Sequence, residues 1–306
     1  MENNMIEKPV YLFLLSPLHT GGTTQEGNLL GIARESHTNL PYIPSSSIRG
    51  RLRACYDDPN KDNSVETDYT QRIQQVQLFG PDLSDTKDGE FKAAYQATVG
   101  KAKALENLEQ GALWIGDGSI LWMPVPSLSH GVIWVSCPYL LQRWARVANV
   151  ATPIDDTDAY RTTCGTDKPI YLKDAILKPD LLQEGSKLDN FVPAQASSLK
   201  RRLVLPDQHC ATLFEMSLWR QVKVKLDADK TVDGGFRYEE AIPPDTLMYF
   251  PWGTAAQLNG RRPDVKTAFH SLIQAHSQLQ IGGQEGLGRG FVQTWLETTT
   301  GGNGNV

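Results

Sequence analysis

A chain of 306 residues with 40% hydrophobic and 21% charged residues has the makeup of a globular protein with a real core, enough for one large domain or two modest ones. A net charge of −5 excludes attachment to nucleic acid by bulk charge and leaves only a local basic groove helped by backbone N–H groups, stacking or neighbouring subunits. No run approaches the roughly 20 apolar residues of a membrane span, residues 1–9 are too polar for a secretory signal, and four widely spaced cysteines without a CxxC read as buried free thiols of a reducing, cytoplasmic compartment rather than as a zinc site.

In chain order, residues 9–15 contain Tyr11-Leu12-Phe13-Leu14-Leu15 and read as a buried strand that Pro17 ends. Residues 21–38 read as a long polar loop, of the kind that is functional or pinned by a partner. Residues 45–56 read as a helix: Ser45 or Ser46 is a natural N-cap, and Ile48, Leu52 and Cys55 recur on one buried face. Arg49 and Arg53 share an adjacent face, one turn apart. Free first-turn N–H groups beside these arginines make a place for a phosphate; an ordinary helix with a solvated basic face fits the same residues. A charged break at 57–68 precedes a short helix at 71–79, which stops at Gly80-Pro81.

Residues 112–123 and 131–137 are strand-like, and 139–147 has helical spacing. The irregular stretch after it reads as a surface insertion, and Lys200-Arg201-Arg202 as a solvated cluster. The strict alternation Gln221-Val222-Lys223-Val224-Lys225-Leu226, a polar tip and Gly234-Gly235-Phe236 predict a long β-hairpin. A strand at 246–250 and an amphipathic helix at 264–279 follow. Residues 282–290 then carry five glycines in nine positions. Such a stretch lets backbone approach a ligand closely or form an anion nest, and it serves a tight turn equally well. It lacks the strand–helix context of a dinucleotide fingerprint and the lysine of a phosphate-binding P-loop. The helix start and this loop are expected to meet at one groove.

The order and spacing of these landmarks resemble the RAMP (repeat-associated mysterious protein) superfamily of CRISPR effector subunits, and within it the repeated backbone subunit of type III-B (Cmr-type) complexes. The resemblance is carried by Pro17, His19 and Gly21 in an early P-x-H-x-G turn, by Arg34-Glu35-Ser36-His37-Thr38, and by Ile43-Pro44-Ser45-Ser46-Ser47-Ile48-Arg49-Gly50. Leu78-Phe79-Gly80, Gly116-Asp117-Gly118, Gly234-Gly235-Phe236-Arg237-Tyr238-Glu239-Glu240 and the final glycine-rich loop complete it. It implies an α+β fold: an RRM-like (ferredoxin-like) core with a β-hairpin thumb. One domain would cover residues 1–298, with insertions at about 57–110 and 150–200, the thumb at about 219–241 and a flexible tail at 299–306. It also implies subunits stacked along a guide (CRISPR) RNA, each thumb flipping out a base. The partners would be guide RNA, target RNA, copies of itself and other effector subunits, with no membrane. The RNA-binding residues it points to are His19, Arg34, Ser46, Ser47, Arg49, Arg53, Gly282, Gly283, Gly286, Gly288 and Arg289.

Members of this kind often cut target RNA with an Asp in the loop after the first strand and a divalent metal (Mg or Mn). Here residues 21–33 hold no Asp; Glu26 is the one acid, and His19 and His37 are candidates as a general base. The expected function is guide binding with reduced or absent cutting. The alternatives are a metal-dependent endoribonuclease acting on guide-paired target RNA, and a stand-alone nucleotide-binding enzyme using residues 282–290. No metal-ligating set stands out in the sequence.

Overall fold

The computed structural model describes residues 6–26, 29–55, 69–100, 105–106, 110–150, 159–255 and 265–297, with the side chains of residues 23–26 left aside. The tail at 299–306 lies outside them. The first strand, β1 (Val10–Leu14), is followed by β2 (Gly21–Glu26), β3 (Leu29–Ile32), the short β4 (Tyr42–Ile43) and α1 (Ser45–Ala54). Two further helices, α2 (Thr70–Phe79) and α3 (Gly89–Val99), pack Ile73, Val76, Phe91, Tyr95 and Leu105 into a small core of their own. Then come β5 (Leu113–Ile115), β6 (Gly118–Ser127), β7 (Gly131–Ser136) and α4 (Pro138–Ala148). The strands β8 (Tyr160–Thr162), β9 (Ile170–Tyr171), β10 (Ile176–Leu177), β11 (Leu182–Glu184) and β12 (Arg202–Val204) precede α5 (Asp207–Ser217). The hairpin β13 (Trp219–Leu226) and β14 (Val232–Ala241) leads to β15 (Leu247–Phe250), β16 (Trp252–Thr254), α6 (Val265–Ala275), β17 (Gln278–Gln280) and β18 (Phe291–Leu296).

The fold is α+β. Its main sheet has ten strands in the order β11-β8-β12-β7-β6-β15-β1-β18-β17, with β4 pairing the side of β6. The apolar run of β1 is explained by its central place: Leu12 lies opposite Met248 on one side and Thr294 on the other, both antiparallel. Alternate residues enter opposite layers. Val10, Leu12 and Leu14 join Ile48, Leu52 and Phe269, whereas Tyr11 joins Trp122, Trp144 and Tyr249. A strand buried on both faces reads as continuous apolar sequence.

Two stretches differ from the sequence reading. Within residues 21–38, read as a loop, Gly21–Glu26 and Leu29–Ile32 are the antiparallel strands β2 and β3, and β3 pairs in parallel with β14 through Tyr238↔Leu29 and Glu239↔Leu30. The four strands β13-β14-β3-β2 make one sheet. The stretch at about 150–200, read as an irregular insertion, supplies β8 and β11 to the edge of the main sheet, where β12 follows it. Arg202, read as part of a solvated cluster, is buried there and pairs with Asp189, because β12 lies against β7 and carries it inward.

Candidate nucleic-acid interface

The hairpin has two unlike faces. Strict alternation and the pairs Val222↔Tyr238 and Val224↔Phe236 put four apolar side chains on one side, and they remain 41–50% exposed. The Phe236 and Tyr238 rings meet edge-on at 5.5 Å. The other side carries Lys223, Arg237 and Glu239. Apolar residues on an unpacked ribbon do nothing for the core, so their presence there points to a ligand.

An isolated two-stranded ribbon is marginal in water; two adjacent buried carboxylates hold this one at its root. Glu240 receives Arg34 at 3.0 Å and Arg220 at 2.9 Å, and both arginines also reach Glu215 at 2.5 Å. Glu239, on the opposite face, receives Lys223 at 2.7 Å, Arg237 at 2.9 Å and Arg289 at 3.5 Å. Burial raises the Glu239 carboxyl, but the surrounding cations, Lys223 foremost, outweigh it and hold the group below the usual carboxylate range. Arg289 is itself buried and donates to Gln221 at 2.9 Å. Arg34 and Arg289 therefore lock the hairpin to the body with their guanidinium groups.

His19 is buried beneath the same root, its Nδ1 2.8 Å from the Glu240 carbonyl. A carbonyl only accepts, so Nδ1 carries the proton. The glycine loop leans on this turn: Gly283 N–H donates to the His19 carbonyl at 2.9 Å and Gly290 N–H to that of Pro17 at 3.0 Å. Gly282 and Gly290 have positive φ, and a Cβ on either would collide with a backbone carbonyl, of His19 and Ile281 respectively. Gly286 and Gly288 face open space. His19, Gly282, Gly283 and Arg289 thus come together at the hairpin root, with Gly286 and Gly288 outermost.

The start of α1 is built differently from its sequence reading. Pro44 stands at the N-cap without a side-chain bond, and the Ser45 N–H donates to Asp117 at 2.7 Å. A carboxylate already occupies the place where a phosphate is expected. Ser46 is exposed and Ser47 half-buried. Arg49 donates to the carbonyls of Phe79 and Leu113. Arg53 donates to the Gly80 carbonyl and pairs with Asp82 at 3.1 Å and Asp85 at 3.0 Å. Both arginines cap the C-terminal carbonyls of α2, where cations are favoured.

The single groove is also not what forms. Ile43 pairs with Gly118 at the start of β6. Since β6 runs antiparallel to β15, and β15 to β1, that point lies level with the start of β1 and the end of β18. The glycine loop precedes β18, beyond the end of β1. Helix start and glycine loop flank opposite ends of the central strands.

Of the catalytic candidates, the Glu26 backbone pairs with Leu29 within β2–β3, and its side chain lies outside the described residues. Nearby, Glu35 binds Arg143 of α4 through both oxygens, at 2.5 and 3.0 Å, and accepts from Thr38 at 2.5 Å. Partial burial raises this carboxyl, but those hydrogen bonds outweigh it and its net shift is downward. No group of three or more His, Cys, Asp or Glu among the described residues could hold a metal ion. No described helix is long and apolar enough to cross a membrane. Sequence reading quoted Glu239 and Glu240 only as part of a motif and gave neither them nor Arg220 a role; the one signal was a pair of acids ending an otherwise alternating strand.

Residues 12–293 match the RAMP superfamily. The CRISPR system Cmr endoribonuclease Cmr4 of Pyrococcus furiosus is 30% identical, over 96% of this chain and 97% of that protein. The crystal structure of oligomeric Cmr4 from Pyrococcus furiosus has a TM-score of 0.63 at 24% identity, covering 96% of this chain and 100% of the other. A chain of the apo type III-B Cmr-beta cryo-EM structure has a TM-score of 0.68 at 18% identity, covering 95% and 97%, and shares the fold. A family match that begins in β1 and ends in β18 takes in the whole central sheet, and the chain belongs to the RAMP superfamily.

Proposed function

We propose that this chain is a guide-RNA-binding backbone subunit of a type III-B CRISPR effector, working in the cytoplasm beside copies of itself and other subunits and offering the guide to target RNA. The observation that carries the reading is the hairpin at Trp219–Ala241, apolar on one exposed face and locked at its root by ion pairs, in a chain that matches Cmr4 from end to end. Such a ribbon wedges between bases while its root stays fixed. We read the core as ferredoxin-like (RRM-like), since β1-α1-β6-β15-α6-β18 runs β-α-β-β-α-β and its strands lie in the order β18-β1-β15-β6.

In this reading the guide backbone meets exposed main chain at Gly286 and Gly288 and the hydroxyl of Ser46. Arg34, Arg49, Arg53 and Arg289 act from behind, by holding those surfaces. A net charge of −5 is no obstacle when many identical subunits share one strand. The test is whether the purified full-length chain carries or binds RNA with a steep salt dependence. Replacing Val224 and Phe236 together by Ser is expected to weaken RNA binding while changing stability by less than about 1 kcal/mol, as for exposed positions. Unchanged RNA affinity would remove the hairpin from the interface.

A second reading, cleavage of the guide-paired target RNA, is favoured by the activity named for the Pyrococcus furiosus relative and by the place of Glu26. The strand that carries it pairs with β3, which in turn pairs with the hairpin at Tyr238. Metal-dependent cutting of a guide-matched RNA by the assembled complex, lost in Glu26→Ala, supports this reading. Cutting retained in that variant discards Glu26.

A further inference from the structure

The glycine loop joins two antiparallel strands, β17 and β18. Their last pair is Gln280↔Phe291, and the Ile281 N–H extends the ladder to the Gly290 carbonyl at 2.8 Å. Leu279, Gln280 and Ile281 are all buried in this stretch. Leu279 and Ile281 belong to the main core. Gln280 is 8% exposed, and a buried amide lowers stability unless it is hydrogen-bonded.

Its partners account for it. Gln280 Nε2 donates to the Gly282 carbonyl at 3.1 Å and to the Arg289 carbonyl at 3.2 Å, one on each arm of the loop. An amide nitrogen has two hydrogens, so both are engaged. No other hydrogen bond reaches either carbonyl among the described residues. The loop is tied to the turn beneath it separately, from the Gly283 and Gly290 N–H groups to the carbonyls of His19 and Pro17. A Cβ on Gly290 would come within 3.0 Å of the Gln280 nitrogen, so the amide sits tight against the neck of the loop. Arg289 passes the constraint on. Gln280 holds its carbonyl, while its buried guanidinium reaches Gln221 and Glu239 of the Trp219–Ala241 hairpin.

We infer that Gln280 is a positioning residue for RNA binding: its amide closes the neck of the glycine loop, keeps Gly286 and Gly288 turned outward and fixes Arg289 at the hairpin root. The inference rests on the RNA-binding reading above and adds to it a residue that itself meets no RNA.

The test uses the full-length chain with Gln280→Met, which keeps a long unbranched side chain and removes both hydrogen bonds, and with Gln280→Glu. Amide hydrogen exchange without RNA is followed by mass spectrometry on peptides spanning residues 281–291. In Gln280→Met, exchange there is expected to rise about tenfold or more, the worth of two neutral hydrogen bonds, while peptides from β1 and β15 keep their protection. Its affinity for a labelled single-stranded RNA is expected to fall about fivefold or more, the worth of one such bond. Gln280→Glu adds a pH signature. Protonated, its carboxyl donates to one carbonyl; ionised, it repels both. The RNA affinity of this variant is expected to be low at about pH 8 and to recover partly at about pH 5.5. The baseline is the unsubstituted chain over the same range, which shares the nearby charged and titratable groups His19, Glu239, Glu285 and Arg289. Gln280→Met combined with Arg289→Ala is expected to lose no more affinity than the larger single loss.

If the unsubstituted chain binds RNA and Gln280→Met binds it equally well, Gln280 serves the fold alone; the inference is overturned while the RNA-binding reading stands. Lost affinity without faster exchange in the loop overturns it as well, as do losses from Gln280→Met and Arg289→Ala that multiply in full. Where Gln280→Met does not fold, Gln280→Glu decides: affinity that follows the unsubstituted chain at every pH overturns the inference. If the unsubstituted chain binds no RNA, both fall.

Discussion

At the scale of single residues, the glycine loop separates two uses of the same amino acid. Gly290 has φ of +80° and a Cβ there would run into the Ile281 carbonyl, so Gly290→Ala is expected to cost about 2–4 kcal/mol from left-handed strain plus overpacking. Gly286 has open space around it, so Gly286→Ala is expected to leave the thermal midpoint unchanged and to act, if it acts, on RNA affinity. Thermal unfolding and RNA titration of the two variants check this. Glu35 gives a pH signature. Its carboxyl is held below the ordinary value of 4.5 in the folded chain, so it binds fewer protons folded than unfolded. Its contribution is complete above that ordinary value and is lost as pH falls through the lower, folded one. Glu35→Gln is therefore expected to lower stability at neutral pH by about 1–3 kcal/mol, the worth of hydrogen bonds to a charged group, and to flatten the acid limb of the stability profile. Denaturant midpoints across acidic pH measure both.

At the scale of elements, α1 and α2 form one unit because the arginines of the first close the last carbonyls of the second. Arg49→Ala leaves the carbonyls of Phe79 in α2 and Leu113 in β5 without this charged donor, and an expected loss of about 1–2 kcal/mol follows from the missing hydrogen bonds. Its guanidinium is already committed, so the salt slope of RNA binding is expected to stay as in the unsubstituted chain; a slope reduced by about one would place Arg49 on a phosphate after all. Elements whose signal is local were legible in sequence. The Val–Lys alternation gave the hairpin, and the spacing of Val265, Phe269, Leu272 and Ile273 gave α6. Elements whose partner lies far along the chain were not. β3 has β2 beside it, but its second partner, Tyr238 and Glu239 of β14, comes some two hundred residues later. The cap of α1 comes from Asp117, and no inspection of residues 44–47 reveals it.

At the scale of the whole molecule, the sheet order puts the earliest strand between two of the latest. β1 is flanked by β15 and β18, and its side chains feed both layers of the core. During synthesis this apolar segment leaves the ribosome with neither neighbour available, and the first of them follows only after more than two hundred further residues. Contacts this distant make for slow folding, and an unpaired apolar strand is prone to associate with other chains meanwhile. A nascent chain of this kind depends on chaperones, or on partners that assemble with it as it emerges, until its final strand is released.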